Sequence, residues 1–431
     1  MFKTFISSAS TKYALVVAIW VAAFAGQALR YAIGWAGFAV VDFLLFGLVF
    51  VVFKDHLKFS LQKIPYPLFI FLIWCFISVT WSQYPLETLL GSGLQLITAY
   101  VGYVLASTLS WGQLLKTLSS AFKFILASSL LLELYVAVFI RGPLNPFVDA
   151  VPGYAWVEGN LFNGADIQGI VGNRNLLGFV ALLSICIFAI QFFASKKNVR
   201  HAIWFVVAFG TIYLTQSATV TVAVVAVFLL SLLAISMRKL LVQNHKYLYY
   251  FGGGAIIALL AVCVIYSSPL LALIGRDDDF TGRTTIWSNV WNLVAMHPIV
   301  GWGWVSYWTP WVEPFTNLAI LDGTQFLQAH NALLDIVFQT GIVGAVLAIA
   351  VAIIASIRSW RIAVNPVKAK TDLLNVVPFQ TLLPVLLMAC LLVQSLSESR
   401  LLIEGNWLLF VLLACKVKIE APEYGSFKIH K

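Results

Sequence analysis

Long apolar runs, broken only by short clusters of basic residues or of glycine and proline, cover most of this chain. They predict helical spans near 13–29, 32–53, 66–82, 89–108, 117–140, 173–194, 202–216, 218–236, 248–267, 328–355, 378–397 and 402–415. A bilayer crossing takes about 20 apolar residues, so some twelve spans use up most of the sequence. The pattern lapses for long enough to form a folded loop in two places, 141–172 and 268–327. Within the second, Ile286, Val290 and Val294 recur at i, i+4 and i+8, with Trp287 and Trp291 beside them. That period predicts an amphipathic helix opening at Gly282-Arg283 and lying at the membrane–water boundary. The expected fold class is all-α: a polytopic integral membrane protein of about 12 transmembrane helices. Residues 1–431 then form a single transmembrane domain, with a smaller outer loop at 141–172 and a large one at 268–327.

Composition agrees and closes off alternatives. Of 431 residues, 61% are hydrophobic and 10% charged, and the mean hydropathy is +0.91. Soluble domains run about 25% charged, which excludes a water-soluble enzyme. The net charge of +9 would suggest nucleic acid in a soluble protein, but its distribution says otherwise. With both termini cytoplasmic, 21 of the 27 basic residues fall on the inner side. The six left outside are Arg30, Arg141, Arg174, Arg276, Arg283 and Arg400, with no lysine among them. This is the inside-positive asymmetry of a multi-pass membrane protein. Lys12 and the apolar stretch ending Ala23-Phe24-Ala25 imitate a cleavable leader, and the reading adopted is a retained first span. Five cysteines, Cys75, Cys186, Cys263, Cys390 and Cys415, lie within or at the edge of spans, a distribution that implies neither a disulfide framework nor a metal cluster.

Arginine presents a planar fork of donors matched to phosphate oxygens, so arginines kept on an acidic outer face point to a diphosphate. Local pairing with acids is the competing account, above all for Arg276 beside Asp277, Asp278 and Asp279, a run that is also the one candidate for holding a cation. Arg174, in Gly172-Asn173-Arg174-Asn175, stands where a loop enters a span, and interfacial snorkelling is its bland alternative. Arg283 opens the amphipathic helix, where unpaired backbone N–H groups add to its attraction for an anion. His330 begins Ala329-His330-Asn331-Ala332, where the large loop re-enters the membrane, and an imidazole there can take a proton from an incoming hydroxyl, with a structural histidine as the bland alternative. Asp335 is expected to orient His330, to pair with an arginine or to be purely structural, and Asp42 and Glu133, inside spans, need partners. His297 reads as a helix cap. The remaining outer acids, Glu398 and Glu404 among them, read as mostly solvated loop charges. Trp287, Trp291, Trp302, Trp304, Trp308 and Trp311 read as an interfacial belt, with sugar stacking as the alternative.

Taken in order, these motifs resemble the O-antigen ligase and polymerase superfamily. His330-Asn331 followed by Gly341 and Gly344 resembles its histidine-amide and glycine signature, and Gly282-Arg283, Trp287, His297-Pro298 and Gly301-Trp302-Gly303 resemble its outer-loop element. Trp81-Ser82 before Pro85, Gly172-Asn173-Arg174-Asn175 with Gly178, and Ser395 to Glu398 ahead of Trp407 extend the likeness from about residue 75 to the C-terminus. Around Gln216-Ser217-Ala218-Thr219 the family often has a Ser-Arg pair, and here Ala218 takes the basic position.

The resemblance implies a metal-independent, inverting glycosyltransferase with no cofactor, in the bacterial cytoplasmic membrane. Its partners would be an undecaprenyl-diphosphate-linked glycan as donor, a glycan or glycolipid as acceptor, and membrane lipids, with no nucleic acid. Arg174 and Arg283, with Asn175 and Asn331, would bind the diphosphate, and His330 and Arg283 would be catalytic. The motifs do not separate ligase from polymerase. The alternative from another class is a lipid-linked glycan flippase, which usually shows repeated halves and gives His330 no task.

Overall fold

The computed structural model describes residues 8–56, 59–148, 155–194, 198–239, 282–321, 324–364 and 378–420. The predicted span at 248–267, Arg276 and the Asp277 to Asp279 run lie outside them. Helices account for nearly all of the architecture: α1 (Ala9–Val52), α2 (Tyr66–Ile77), α3 (Pro85–Thr108), α4 (Trp111–Tyr135), α5 (Arg174–Ala194), α6 (Val199–Thr215), α7 (Ala218–Lys239), α8 (Arg283–Met296), α9 (Ala332–Val364), α10 (Leu383–Ser395) and α11 (Glu404–Glu420). A two-residue antiparallel pair, Ile320–Leu321 with Thr324–Gln325, is the one sheet among the described residues. Six of these helices are long and apolar enough to cross a membrane, and three shorter apolar helices accompany them. The protein is an all-α, polytopic membrane protein.

The longest helix joins two predicted spans. Gly34 breaks α1 with φ 73° and ψ 176°, and the chain doubles back there. Lys12 Nζ consequently lies 5.7 Å from the centroid of the Phe53 ring, so the beginning and end of α1 are neighbours and the element is a helical hairpin. At its heart the bundle holds α11, whose residues Gly405 to Val417 are all buried. A helix apolar on every side has to sit in the interior, and α11 packs on α1, α3, α9 and α10. Large apolar side chains such as Phe43, Phe139 and Tyr213 are turned outward on the flanking helices, as lipid contact requires.

One break in a helix is held open by another part of the chain. Gly341 interrupts α9 with φ 65° and ψ −174°, in a region that only glycine enters without strain. The 298–305 segment threads through the gap. Trp302 N–H donates to Phe338 O (3.1 Å) and Gly303 N–H to Gln339 O (2.9 Å), while Ile342 N–H donates to Pro298 O (2.9 Å). Trp74 Nε1 donates to Thr340 O at 2.9 Å. Backbone groups freed at membrane depth must be satisfied from within the protein, and this loop satisfies them. A Cβ on Gly341 would meet Ile299 O at 2.1 Å, which explains the glycine in chemical terms.

The loops carry a second hydrophobic core of their own. Ile286, Val290 and Val294 of α8 pack with Trp302, Trp308, Phe315, Leu318 and Phe338. The predicted amphipathic helix is therefore present, but its apolar stripe faces the protein's own loop core instead of the bilayer. Each fully buried aliphatic side chain contributes roughly 1.5–3 kcal/mol, so the stripe is enough to fix α8 over the mouth of the bundle. Trp302, Trp304 and Trp308 are buried, which assigns half of the tryptophan cluster to packing. Trp291 and Trp311 remain exposed.

Candidate active site

The first residues of α5 and α8 and the loops before α9 and α11 meet at one end of the bundle, and the side chain at their meeting point is Glu398. It is 3% exposed. Its Oε2 accepts from His330 Nδ1 at 3.2 Å and from Gln328 Nε2 at 3.1 Å. Oε1 accepts from Asn175 Nδ2 at 2.8 Å and faces Arg283 Nη2 at 3.8 Å. Burial works to raise the carboxyl's pKa, but the hydrogen bond and charge of His330, with the charges of Arg283 and Arg400, hold it below the usual carboxylate range. In the sequence this acid reads as one of the mostly solvated loop charges. No spacing rule links it to His330, 68 residues earlier, and the signals for it are its position just ahead of a span and the Ser395 to Glu398 resemblance.

Each residue around Glu398 is itself fixed. Asn173 Oδ1 accepts the N–H groups of Asn175 (2.9 Å) and Leu176 (3.2 Å), capping α5 as its side chain type favours. Ser217 Oγ donates to Asn175 Oδ1 at 2.8 Å, which turns the amide nitrogen toward Glu398. Below this, the buried Glu133 accepts the N–H groups of Gln168 (2.8 Å) and Gly169 (2.7 Å), so the partner demanded by an acid inside a span is the loop leading into α5. Asn331 Oδ1 accepts Leu334 N–H at 3.0 Å and caps α9, and its own N–H donates to Ser399 Oγ at 3.0 Å. Its side chain is thereby engaged by the fold.

His330 takes a left-handed backbone, φ 52°, an uncommon conformation for a non-glycine residue and one that clusters at functional sites. Of the three roles open to Asp335, its hydrogen bonds go to the structural one and reach neither His330 nor an arginine. It accepts from Trp308 Nε1 at 2.6 Å and from Ala329 N–H at 3.0 Å, holding the backbone that leads into His330. The edge of Phe326 lies against the imidazole, with centroids 5.6 Å apart.

Of the described outer arginines, Arg141 donates from Nε to Val138 O at 3.1 Å, and the other four divide into three kinds. Arg283 is 12% exposed at the side chain and belongs to the Glu398 cluster. Arg174, beside Asn175 in the chain, is 43% exposed and faces Asp166 at 3.4 Å. Arg30 and Arg400 share Glu404, at 2.8 Å and 2.6 Å, so for them local pairing holds and Glu404 is no solvated charge. Arg400 also donates to Tyr307 Oη at 3.2 Å, and burial pushes the Tyr307 phenol up to about 12. His297 terminates α8 and packs edge-on against Trp302, centroids 4.6 Å apart. Among the described residues, no group of three or more His, Cys, Asp or Glu is arranged to hold a metal ion.

The arrangement has a definite chemical capacity. A carboxylate that accepts from Nδ1–H fixes the imidazole in the tautomer whose Nε2 carries the lone pair. A base so oriented, next to a buried guanidinium, suits proton removal coupled to the departure of an anion.

Comparison with known proteins finds two similarities. Residues 202–349, which include Arg283, His330 and Gly341, match the family described as O-antigen ligase. Over 302 residues the chain is 26% identical to the exopolysaccharide production protein ExoQ of Rhizobium meliloti (strain 1021), an alignment covering 65% of this chain. The chain thus spans 62% of the length of that relative. Over residues 202–349 the chain is thus similar to the O-antigen ligase family, and the wider match to a polysaccharide production protein accords with the ordered motifs on a polytopic helical frame.

Proposed function

We propose that this protein is an inverting membrane glycosyltransferase of surface polysaccharide synthesis. In this reading it moves a glycan from undecaprenyl diphosphate to an acceptor hydroxyl at the outer face of the bacterial cytoplasmic membrane. The observation that carries the reading is the sharing of one buried carboxylate by His330 and Arg283. His330 Nε2 takes the acceptor's hydroxyl proton, the acceptor oxygen forms the new bond to the anomeric carbon, and the bond from that carbon to the diphosphate breaks. The electron pair leaves with the diphosphate, whose growing charge Arg283 neutralises and Arg174 helps to hold. Asn175 serves through Glu398, and Asn331 through the cap that sets His330. Orientation rests on charge, with 21 of the 27 basic residues assigned to the inner side.

The test uses purified protein, a lipid-linked glycan and candidate acceptors, with and without EDTA. His330→Ala and Arg283→Ala are each expected to abolish transfer while inserting normally, and EDTA to change nothing. Unchanged transfer in both variants refutes the mechanism, and a strict metal requirement contradicts arginine as the leaving group's counter-charge. Glycan crossing a proteoliposome membrane without transfer supports a flippase instead.

A further inference from the structure

A second cluster stands beside the first, on the other side of the loop that carries Glu398. The tip of the α1 hairpin brings Arg30 and Trp35 to Tyr307, Arg400 and Glu404. The Arg30 guanidinium lies 4.7 Å from the Trp35 ring centroid and 5.9 Å from that of Tyr307, and the Trp35 and Tyr307 rings meet edge to face at 6.4 Å. Trp35 is 55% exposed, whereas Arg30 is 5% exposed. Ser399, the residue before Arg400, accepts Asn331 N–H at 3.0 Å, so this cluster is tied to the loop that presents His330.

Hydrogen-bonding capacity here is out of balance. Two guanidiniums, with about five N–H donors each, face the two oxygens of Glu404 and the hydroxyl of Tyr307. Arg30 Nε and Glu404 Oε1 are both buried without a hydrogen-bond partner, so a donor and an acceptor in the cluster each call for a partner or a water. Meanwhile Arg400 and Glu404 keep 17% of their side chains exposed, which leaves the cluster reachable. A platform of exposed indole next to planar charged groups, already locked by one another, matches what a pyranose offers. Its C–H face stacks on an aromatic ring, and its hydroxyls accept from guanidinium and donate to carboxylate.

We infer that Trp35, Tyr307, Arg30, Arg400 and Glu404 form a saccharide subsite that receives the acceptor glycan, distinct from the diphosphate site around Arg283. The assignment to the acceptor rests on the transfer reaction proposed above, while saccharide binding does not. A tryptophan that merely anchors the hairpin at the membrane surface needs headgroups only. It has no use for a buried guanidinium against its face and a tyrosine at its edge.

Two measurements separate the possibilities. In the transfer assay, Trp35→Ala should raise the acceptor KM about tenfold while leaving donor KM and hydrolysis of the donor by water unchanged. Trp35→Phe, which keeps a ring, should recover most of the loss. An acceptor KM unchanged in Trp35→Ala overturns the inference. Independently of catalysis, saturation-transfer NMR on the detergent-purified full chain would probe binding of free oligosaccharides cut from the source organism's own surface polysaccharide. Signal in the wild type that is lost in Trp35→Ala supports the subsite even if no transfer is seen, and no signal in the wild type refutes it. A fall in thermal stability of Trp35→Ala with acceptor KM preserved identifies an anchor and also refutes it.

Discussion

Replacing Glu398 by glutamine is the sharpest perturbation this structure offers. The carboxylate serves four groups, His330 and Gln328 on one oxygen and Asn175 and Arg283 on the other, and every one of them is a donor or a cation. A glutamine amide has one accepting oxygen and one NH2 group, so no rotamer can serve both sides. If the NH2 faces His330, Nδ1 becomes the acceptor, Nε2 carries the proton and the base is lost. If the oxygen faces His330, the NH2 confronts Asn175 and the Arg283 guanidinium, and a buried cation loses its counter-charge. The first outcome removes general-base catalysis, typically worth about 10²–10⁴ in rate, which corresponds to roughly 2.7–5.4 kcal/mol of transition-state stabilisation; the second keeps the tautomer but displaces the guanidinium that is to meet the leaving group's charge. Single-turnover transfer at saturating donor and acceptor isolates this step from binding. Glu398→Asp keeps the charge and should retain part of the rate. A Glu398→Gln enzyme within about threefold of wild type, with the same pH profile, would sink the argument that the carboxylate sets the histidine's tautomer.

Three further outcomes follow from the same geometry. Gly341→Ala places a Cβ 2.1 Å from Ile299 O at a backbone conformation costing about 1–3 kcal/mol for other residues, and it also disturbs the hydrogen bonds threaded through the break. Thermal unfolding in detergent should show a drop of several degrees, and an unchanged Tm would mean that the break is not held as described. Asn331→Ala removes the cap of α9 at a cost of about 1 kcal/mol; transfer should weaken through His330's placement, with Asn331→Asp or Asn331→Ser restoring it, and restoration by neither would point to direct substrate contact. For pH, the Glu398 carboxyl lies below its ordinary value of 4.5. Its contribution to stability is therefore complete above the ordinary range and disappears only as pH falls through the lowered folded value. Melting curves from pH 7 downward should show no loss assignable to Glu398 until the acidic limb, and a Glu398-dependent loss between pH 7 and 5 would contradict the geometry.

Much of this protein is written locally. Spans and their order follow from runs of apolar residues, because a chain in lipid must be apolar over a fixed length and satisfy its own backbone. Helix α8 was legible from Ile286, Val290 and Val294, since its period is a property of consecutive residues. Arg283 and His330 were legible as a positive charge and an imidazole at loop boundaries. What α8's stripe faces was not legible, because a bilayer and a cluster of Phe315, Leu318 and Phe338 are equally apolar partners. The roles of the tryptophans were hidden for the same reason, with Trp304 buried and Trp311 exposed only seven residues later.

The sequence by itself determined the membrane class, the helical elements and the residue types available for chemistry, because each of these depends on neighbours in the chain. Tertiary structure alone decided that Glu398, rather than Asp335, holds His330, and that Arg30 crosses from the first hairpin to Glu404. It also decided that Gly341 is a slot for a loop 40 residues upstream. The physical reason is common to all three. A buried charge or an opened helix must find its partner wherever the fold brings one within hydrogen-bond reach, and sequence distance carries no information about that reach.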